Sequence, residues 1–189
     1  MSDKLRLFWA VNLTGELKKK IASFSRELAV PGLKAGWVAG DNLHLTLAFL
    51  GDTEPGLIGP MEAAVNNNIQ GFAPFELCFG SPGFFPATGS PRVLWLGIRG
   101  EVGKLKILQL KVQSALTNVG FVPESRPFSP HLTLARIKSP VGTEALQARV
   151  KSMAHMSIEG SLSVGAVELM QSRLGPGGPV YNPLVRVAL

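Results

Sequence analysis

The sequence predicts an α+β fold built on largely antiparallel sheets, and three observations lead there. Runs of β-forming residues and amphipathic stretches follow one another as β-α-β-α-β-β and then α-β-α-β-β-β, which departs from the strict alternation of a parallel α/β sheet. No glycine-rich dinucleotide fingerprint joins a strand to a helix. Finally, the pentapeptide His-Leu-Thr-Leu-Ala starts at His44 and again at His131, close to half of the 189 residues apart. The two copies therefore occupy comparable places in the two halves of the chain, which points to a pseudo-symmetric pair of lobes facing each other.

Residues 5–11, Leu-Arg-Leu-Phe-Trp-Ala-Val, are rich in β-formers and give the first strand. Thr14 is placed to cap a helix whose apolar face is Leu17, Ile21, Phe24 and Leu28, running up to Pro31. A second strand covers 43–50 and stops at Gly51-Asp52, and a helix over 57–69 follows Glu54-Pro55. Strands over 72–79 and 93–98 are separated by Gly80-Ser81-Pro82-Gly83 and by residues 86–91, both with loop chemistry, while Phe84-Phe85 between them docks on the core. Leu105, Leu108, Val112 and Leu116 give a helix over 101–119 that ends at Gly120 as its C-cap. His131–Ile137 forms another strand and 143–153 a fourth helix. Ile158, Leu162, Val164, Val167 and Leu169 mark strands before the turn Gly175-Pro176-Gly177-Gly178-Pro179, and 181–189 closes the chain as a strand.

Composition narrows the function classes. With 46% hydrophobic residues, 189 positions suffice for one well-buried domain and are few for two. Charged residues are only 17% of the chain and no polar low-complexity tract occurs, which excludes a largely disordered protein. Cys78 is the single cysteine, so neither an internal disulfide nor a thiolate metal site is available, and a reducing compartment is expected. The apolar stretch after Lys4 and Arg6 ends at Asn12, too soon for an export signal. No apolar run approaches the ~18 residues of a membrane span. A soluble, cytoplasmic protein without membrane contact is the expectation. Nineteen Lys and Arg against thirteen Asp and Glu give a formal charge of +6, which favours polyanionic partners, although no dense basic tract marks a nucleic-acid-binding tail.

The repeat carries the chemistry. Alternate residues of a strand share a face, so His44 and Thr46 project to one side and Leu45 and Leu47 to the other, and the second copy repeats this with His131 and Thr133. The leucines anchor each strand in its lobe, leaving both His–Thr pairs to line a cleft. Two imidazoles with ordinary pKa values near 6.5 can serve as a general acid and a general base at neutral pH. The threonine hydroxyls can donate to substrate oxygens. Two satisfied core histidines inherited through duplication are the structural alternative. A metal site is not expected, because each motif supplies one imidazole with no adjacent carboxylate or thiolate and zinc takes three or four protein ligands. Nor is a serine triad, since no Gly-x-Ser-x-Gly elbow occurs.

The paired His-x-Thr-x motifs resemble those of the two-histidine (2H) phosphoesterase superfamily, and within it the bacterial and archaeal RNA 2′,3′-cyclic phosphodiesterases, historically called 2′-5′ RNA ligases. The likeness covers nearly the whole chain. It includes Arg6-Leu7-Phe8-Trp9-Ala10-Val11, Asn42-Leu43-His44-Leu45-Thr46-Leu47 with Phe49-Leu50-Gly51, and Arg92-Val93-Leu94-Trp95-Leu96-Gly97. It continues through Gly120-Phe121, the run from Arg126-Pro127-Phe128-Ser129-Pro130 to Ala135-Arg136, and Ser172-Arg173-Leu174 leading to Tyr181. Met170 departs from the pattern, standing where related sequences often carry an aromatic residue.

This resemblance implies a bilobal, pseudo-symmetric α+β fold, with two antiparallel sheets framing a central basic cleft and helices outside, all within one domain spanning 1–189. It implies hydrolysis of a terminal 2′,3′-cyclic phosphate on RNA, or of a cyclic nucleotide, to a 2′-phosphomonoester, by a monomer with no cofactor and no metal. A reversible 2′-5′ joining activity is compatible with the same groups. The residues themselves give an acid and a base; the resemblance makes His44 the proton donor to the departing 3′ oxygen and His131 the base that activates water. Thr46, Thr133 and Arg136 are the expected phosphate contacts. Arg136 poses a difficulty, because it lies an odd number of positions after His131 and would point away on a regular strand unless a bulge or the strand's end turns it back. Tyr181, Phe128 and Trp37 are candidates to stack on a terminal base, Trp37 fitting a core role better. Arg126 and Arg173 are candidates to hold the RNA backbone, His155 is read as incidental, and Cys78 as buried filler. The competing function is a non-catalytic module that binds a nucleotide or an RNA end on the same fold.

Overall fold

A computed structural model describes residues 4–122, 124, 126–156, 158–176 and 178–189. Thr14 caps the first helix as the sequence suggests, its Oγ1 accepting from the Leu17 N–H at 3.4 Å, and Leu17, Ile21, Phe24 and Leu28 are all buried. Strand β1 (Leu5–Asn12) leads into this helix, α1 (Gly15–Leu28), followed by β2 (Ala35–Trp37), β3 (His44–Thr53), α2 (Ile58–Ile69), β4 (Phe75–Phe85) and β5 (Val93–Gly100). Helix α3 (Val102–Asn118), β6 (His131–Ile137), α4 (Thr143–Ser152), β7 (Ile158–Val164), β8 (Ala166–Gly175) and β9 (Gly178–Ala188) complete the chain. Short 3-10 turns lie at Gly40–Asn42 and Pro55–Leu57.

Two antiparallel sheets result, one in the order β3-β1-β8-β9 and the other β2-β6-β5-β4-β7. The α+β expectation describes this architecture. The lobes, however, do not coincide with the halves of the chain. Strands β2 and β4 from the first half join the sheet of the second motif, and β8 and β9 from the second half join the sheet of the first. One continuous core spans both sheets, so neither half buries its apolar face alone. Helices α2 and α3 pack on each other and against β9 and β3, whereas α1 packs against β7 and α4.

Three local departures from the sequence reading have physical causes. The stretch Gly80-Ser81-Pro82-Gly83, expected as a loop, lies within β4, which crosses it with a register shift between Phe79 and Pro82. Gly83 is there for close approach, not for turning: the Trp95 ring occupies the space a Cβ would fill. Strand β3 runs on through Gly51-Asp52 to Thr53, with Gly51 at φ +68° taking the left-handed backbone of an irregular ladder. Strand β2 went unpredicted because three residues show no periodicity. Cys78 corrects another expectation: it is exposed, on the face of β4 opposite buried Leu77 and Phe79.

Candidate active site

Strand register places the repeated motifs. Leu45 and Leu47 of β3 and Leu132 and Leu134 of β6 all enter the same continuous core, so both His–Thr pairs turn away from it. Strands β3 and β6 pack against one another, which brings the two open faces side by side. His44 and His131 are half-buried rather than interior, as is Thr133, and Thr46 is exposed. The alternative of two satisfied core histidines does not fit this placement.

Both imidazoles are anchored in the same way. His44 Nδ1 donates to the Asn42 carbonyl at 2.7 Å, and His131 Nδ1 donates to the Ser129 carbonyl at 2.7 Å. A carbonyl can only accept, so Nδ1 carries the proton in each neutral ring and Nε2 offers a lone pair. His44 Nε2 lies 3.0 Å from Thr46 Oγ1, whose hydroxyl donates to it in the neutral state. Aromatic rings from other strands of the same sheet pack each imidazole. Phe8 and Tyr181 flank His44 at centroid distances of 4.7 and 5.1 Å, and Phe85 meets His131 edge-on at 5.0 Å. Burial beneath this packing holds the His44 pKa below the ordinary imidazole value; the bond to the Asn42 carbonyl opposes the shift and the positive charge of Lys18 adds to it.

A matching bulge follows each threonine. In β3, Thr46 pairs with Ala10 and Ala48 with Trp9, leaving Leu47 as the extra residue. In β6, Thr133 pairs with Trp95 and Ala135 with Leu94, leaving Leu134 extra. The carbonyl of each extra residue is satisfied from outside the ladder: Leu47 accepts from Gln109 Nε2 at 3.3 Å and Leu134 from the Val38 N–H at 2.8 Å. Each bulge reverses the alternation of its strand, so the residue five positions after the histidine returns to the histidine's face. This resolves the difficulty over Arg136, which is exposed on the face of His131 and Thr133. The corresponding residue in β3 is Phe49.

Other expected residues divide. Tyr181 stands over His44 and touches Phe8 at 5.0 Å, and its hairpin is tied to the motif by Asn42 Nδ2, which donates to the Pro179 carbonyl at 2.6 Å. Arg173 projects from the other face of β8 to donate to Gln171 Oε1 at 3.0 Å, and Trp37 and Phe128 pack on the core, so none of these three joins the motifs. Arg126 and His155 are exposed in segments outside the strands. Among the described residues no group of three His, Cys, Asp or Glu side chains gathers to hold a metal. Sequence reasoning missed Phe8 and Phe85 as imidazole neighbours, and the network below His44 in which Asn12 donates to Glu168, itself paired with Arg186 at 3.6 Å. Strand parity would have found Phe8 and Asn12; the others depend on pairings between distant segments.

The model of the 2′-5′ RNA ligase superfamily matches residues 17–176. The chain is similar to an RNA 2′,3′-cyclic phosphodiesterase of Methanothermobacter thermautotrophicus, 32% identical over 96% of this chain and 97% of that one. A protein of the same description from Archaeoglobus fulgidus is 35% identical over 95% of this chain and 98% of its own. Among solved structures, E. coli LigT complexed with 3′-AMP superposes with a TM-score of 0.79 at 28% identity, covering 98% of each chain.

Proposed function

The chain belongs to the 2′-5′ RNA ligase superfamily, and from that membership together with the anchored imidazoles we infer that it is an RNA 2′,3′-cyclic phosphodiesterase. The observation that supports this most is the matched pair of rings, each with Nδ1 fixed to a carbonyl two residues upstream, which leaves Nε2 as the basic nitrogen of both. Proton-transfer groups need that kind of fixed tautomer and orientation.

His131 Nε2 takes a proton from water as the water oxygen attacks phosphorus. Negative charge builds on the non-bridging oxygens, where the hydroxyls of Thr46 and Thr133 and the guanidinium of Arg136 act as donors already in place. The bond from phosphorus to the 3′ oxygen breaks while protonated His44 gives its Nε2 proton to that oxygen, and the phosphate remains on the 2′ oxygen. Burial disfavours protonated His44 in the free protein, so the arriving phosphate, with its single negative charge, is what draws a proton onto this ring. Tyr181 covers the edge of the same imidazole and contacts the terminal nucleoside. Because one chain carries both motifs, one copy supplies the whole site, and a monomer working in the cytoplasm is part of the proposal. Weak 2′-5′ joining, in which a 5′ hydroxyl replaces water as the nucleophile and the 3′ oxygen again departs, is the microscopic reverse of cleaving that linkage by the neighbouring 3′ hydroxyl, and the same groups serve both directions.

Oligoribonucleotides ending in a 2′,3′-cyclic phosphate test the reading directly. Conversion to a product with its phosphate on the 2′ oxygen, insensitive to chelator, is expected. Tight binding of the same RNA without turnover would instead establish a binding module.

A further inference from the structure

Beyond β6 the open face of its sheet continues over β5 and β4. Trp95, Gly97 and Arg99 of β5 alternate there with the core residues Leu94 and Leu96; Gly97 pairs with His131 and Arg99 with Cys78. Both large side chains lie down on glycines of β4. The Trp95 ring fills the place of a Cβ at Gly83, and Arg99 Nε lies 2.8 Å from where a Cβ at Gly80 would be. Gly97 itself is bare, and a Cβ there would come within 3.3 Å of the Ser81 carbonyl. Across the sheet from His131, an open floor at Gly97 therefore comes first, and the flattened Arg99 side chain follows over Gly80, two strands or about 10 Å away. Its charge is not spent within the fold. Arg99 is exposed and has no salt bridge among the described residues. The carboxylates of this edge are engaged elsewhere, Glu101 with Lys104 and the Glu76 N–H, and Glu76 with the hydroxyls of Ser161 and Ser163.

We propose that Arg99 binds the backbone phosphodiester on the 5′ side of the nucleoside that bears the cyclic phosphate, so that the glycine floor of β5 and β4 is the path by which an RNA chain leaves the site. This assignment rests on the phosphodiesterase reading. A guanidinium about 10 Å from the His131 strand, with a hydrogen bond of about 3 Å still to add, meets a phosphate one nucleotide along, and bare Gly97 leaves room for the sugar between. The guanidinium fork suits a phosphodiester, which offers two non-bridging oxygens. A mononucleotide with a 2′,3′-cyclic phosphate has no such group. Arg99 therefore selects chains over mononucleotides, and a backbone contact of this kind is indifferent to sequence.

Three substrates separate the contact from the chemistry: the dinucleotide ApA with a 2′,3′-cyclic end, the same dinucleotide with an uncharged methylphosphonate linkage, and 2′,3′-cyclic AMP. For the charged dinucleotide Arg99→Ala raises KM about 10- to 100-fold, while kcat stays within about threefold of wild type. On the other two substrates the variant and the wild type have equal KM, and Arg99→Lys recovers part of the binding lost on the first. A loss shared by either of the other substrates, or none on the charged dinucleotide, overturns the assignment. Wild-type turnover of the cyclic ends judges the phosphodiesterase reading separately. Should turnover be absent, equilibrium binding of the 2′-phosphorylated dinucleotide still decides the matter: the slope of log affinity against log salt is shallower by about 0.7 in Arg99→Ala than in wild type, and equal slopes overturn the contact.

Discussion

Strands β3 and β6 carry the same five residues, the same bulge and the same imidazole anchor, yet they end on different chemistry, Phe49 in one and Arg136 in the other. Their surroundings differ as well. β3 is the edge of its sheet, so no strand lies beyond it to satisfy the carbonyl freed at Leu47, and the side chain of Gln109 from α3 does so. β6 has β2 on its outer side, and the chain leaving β2 supplies the backbone N–H of Val38 to Leu134. The two copies of the repeat thus share a backbone device while their supports and their terminal side chains differ.

The likeness breaks most visibly if either histidine is removed. His44→Ala and His131→Ala are each expected to lower kcat by roughly 10²- to 10⁴-fold while leaving the fold intact, because each deletes one proton-transfer group from a half-buried position outside the core. Steady-state rates on RNA with cyclic ends measure this. A near-normal rate for one variant alone would mean that only one strand of the pair does chemistry.

The difference between the strands is sharpened by Arg136→Ala, which should lower kcat/KM by about 10- to 100-fold, the size of one charge-assisted hydrogen bond. Arg136→Lys should recover part of this, because the charge returns without the planar fork. Activity indifferent to both changes would remove Arg136 from the phosphate.

How much of this was legible beforehand depended on distance along the chain. The α1 face, helix α3 with the left-handed Gly120 just past its Val119 cap, β6 and the two His–Thr faces all follow from local periodicity and were readable from residues 14–28, 101–120 and the pentapeptides. The bulges were not. A strand with Leu at alternate positions looks regular, and only pairing with β1 and β5 exposes Leu47 and Leu134 as extra residues. Gln109 left a trace in the sequence, a polar residue within the apolar stripe of α3, but its partner lies in another element. Gly83 misled because glycine marks turns and close approaches alike, and the Trp95 ring that demands it comes from the next strand. Exchange of strands between the sheets has no local signature at all.

Gln109 gives a smaller effect that separates the two strands' supports. It is 7% exposed, and Gln109→Leu leaves the Leu47 carbonyl without a donor, at a cost of about 1–3 kcal/mol. For a chain of this size that lowers Tm by roughly 3–10 °C. Val38→Ala keeps the backbone N–H that serves Leu134 and should shift Tm less through this bond, since the bulge in β6 has no side chain to lose. Thermal unfolding of both variants checks the contrast; equal shifts would dissolve it.

The smallest expected effect concerns pH and the burial of His44. In the free protein its midpoint lies below the ordinary value near 6.5, which NMR titration of the ring would read. The folded state therefore binds fewer protons than the unfolded one between that depressed midpoint and about 6.5, so the contribution of His44 to stability is present at higher pH and is lost as pH falls through the folded midpoint. Substrate reverses the pull. A cyclic phosphate keeps its single negative charge across this range, and placed beside the ring it raises the midpoint, so the complex takes up a proton on forming. By linkage, 2′,3′-cyclic AMP should bind the slow His131→Ala variant more tightly as pH drops from about 8, by a few-fold and no more than tenfold per unit. The gain ends once pH is below the free midpoint. Adding His44→Ala should flatten the curve. If the single variant is already flat, His44 does not collect its proton on binding, and the acid role falls to another group.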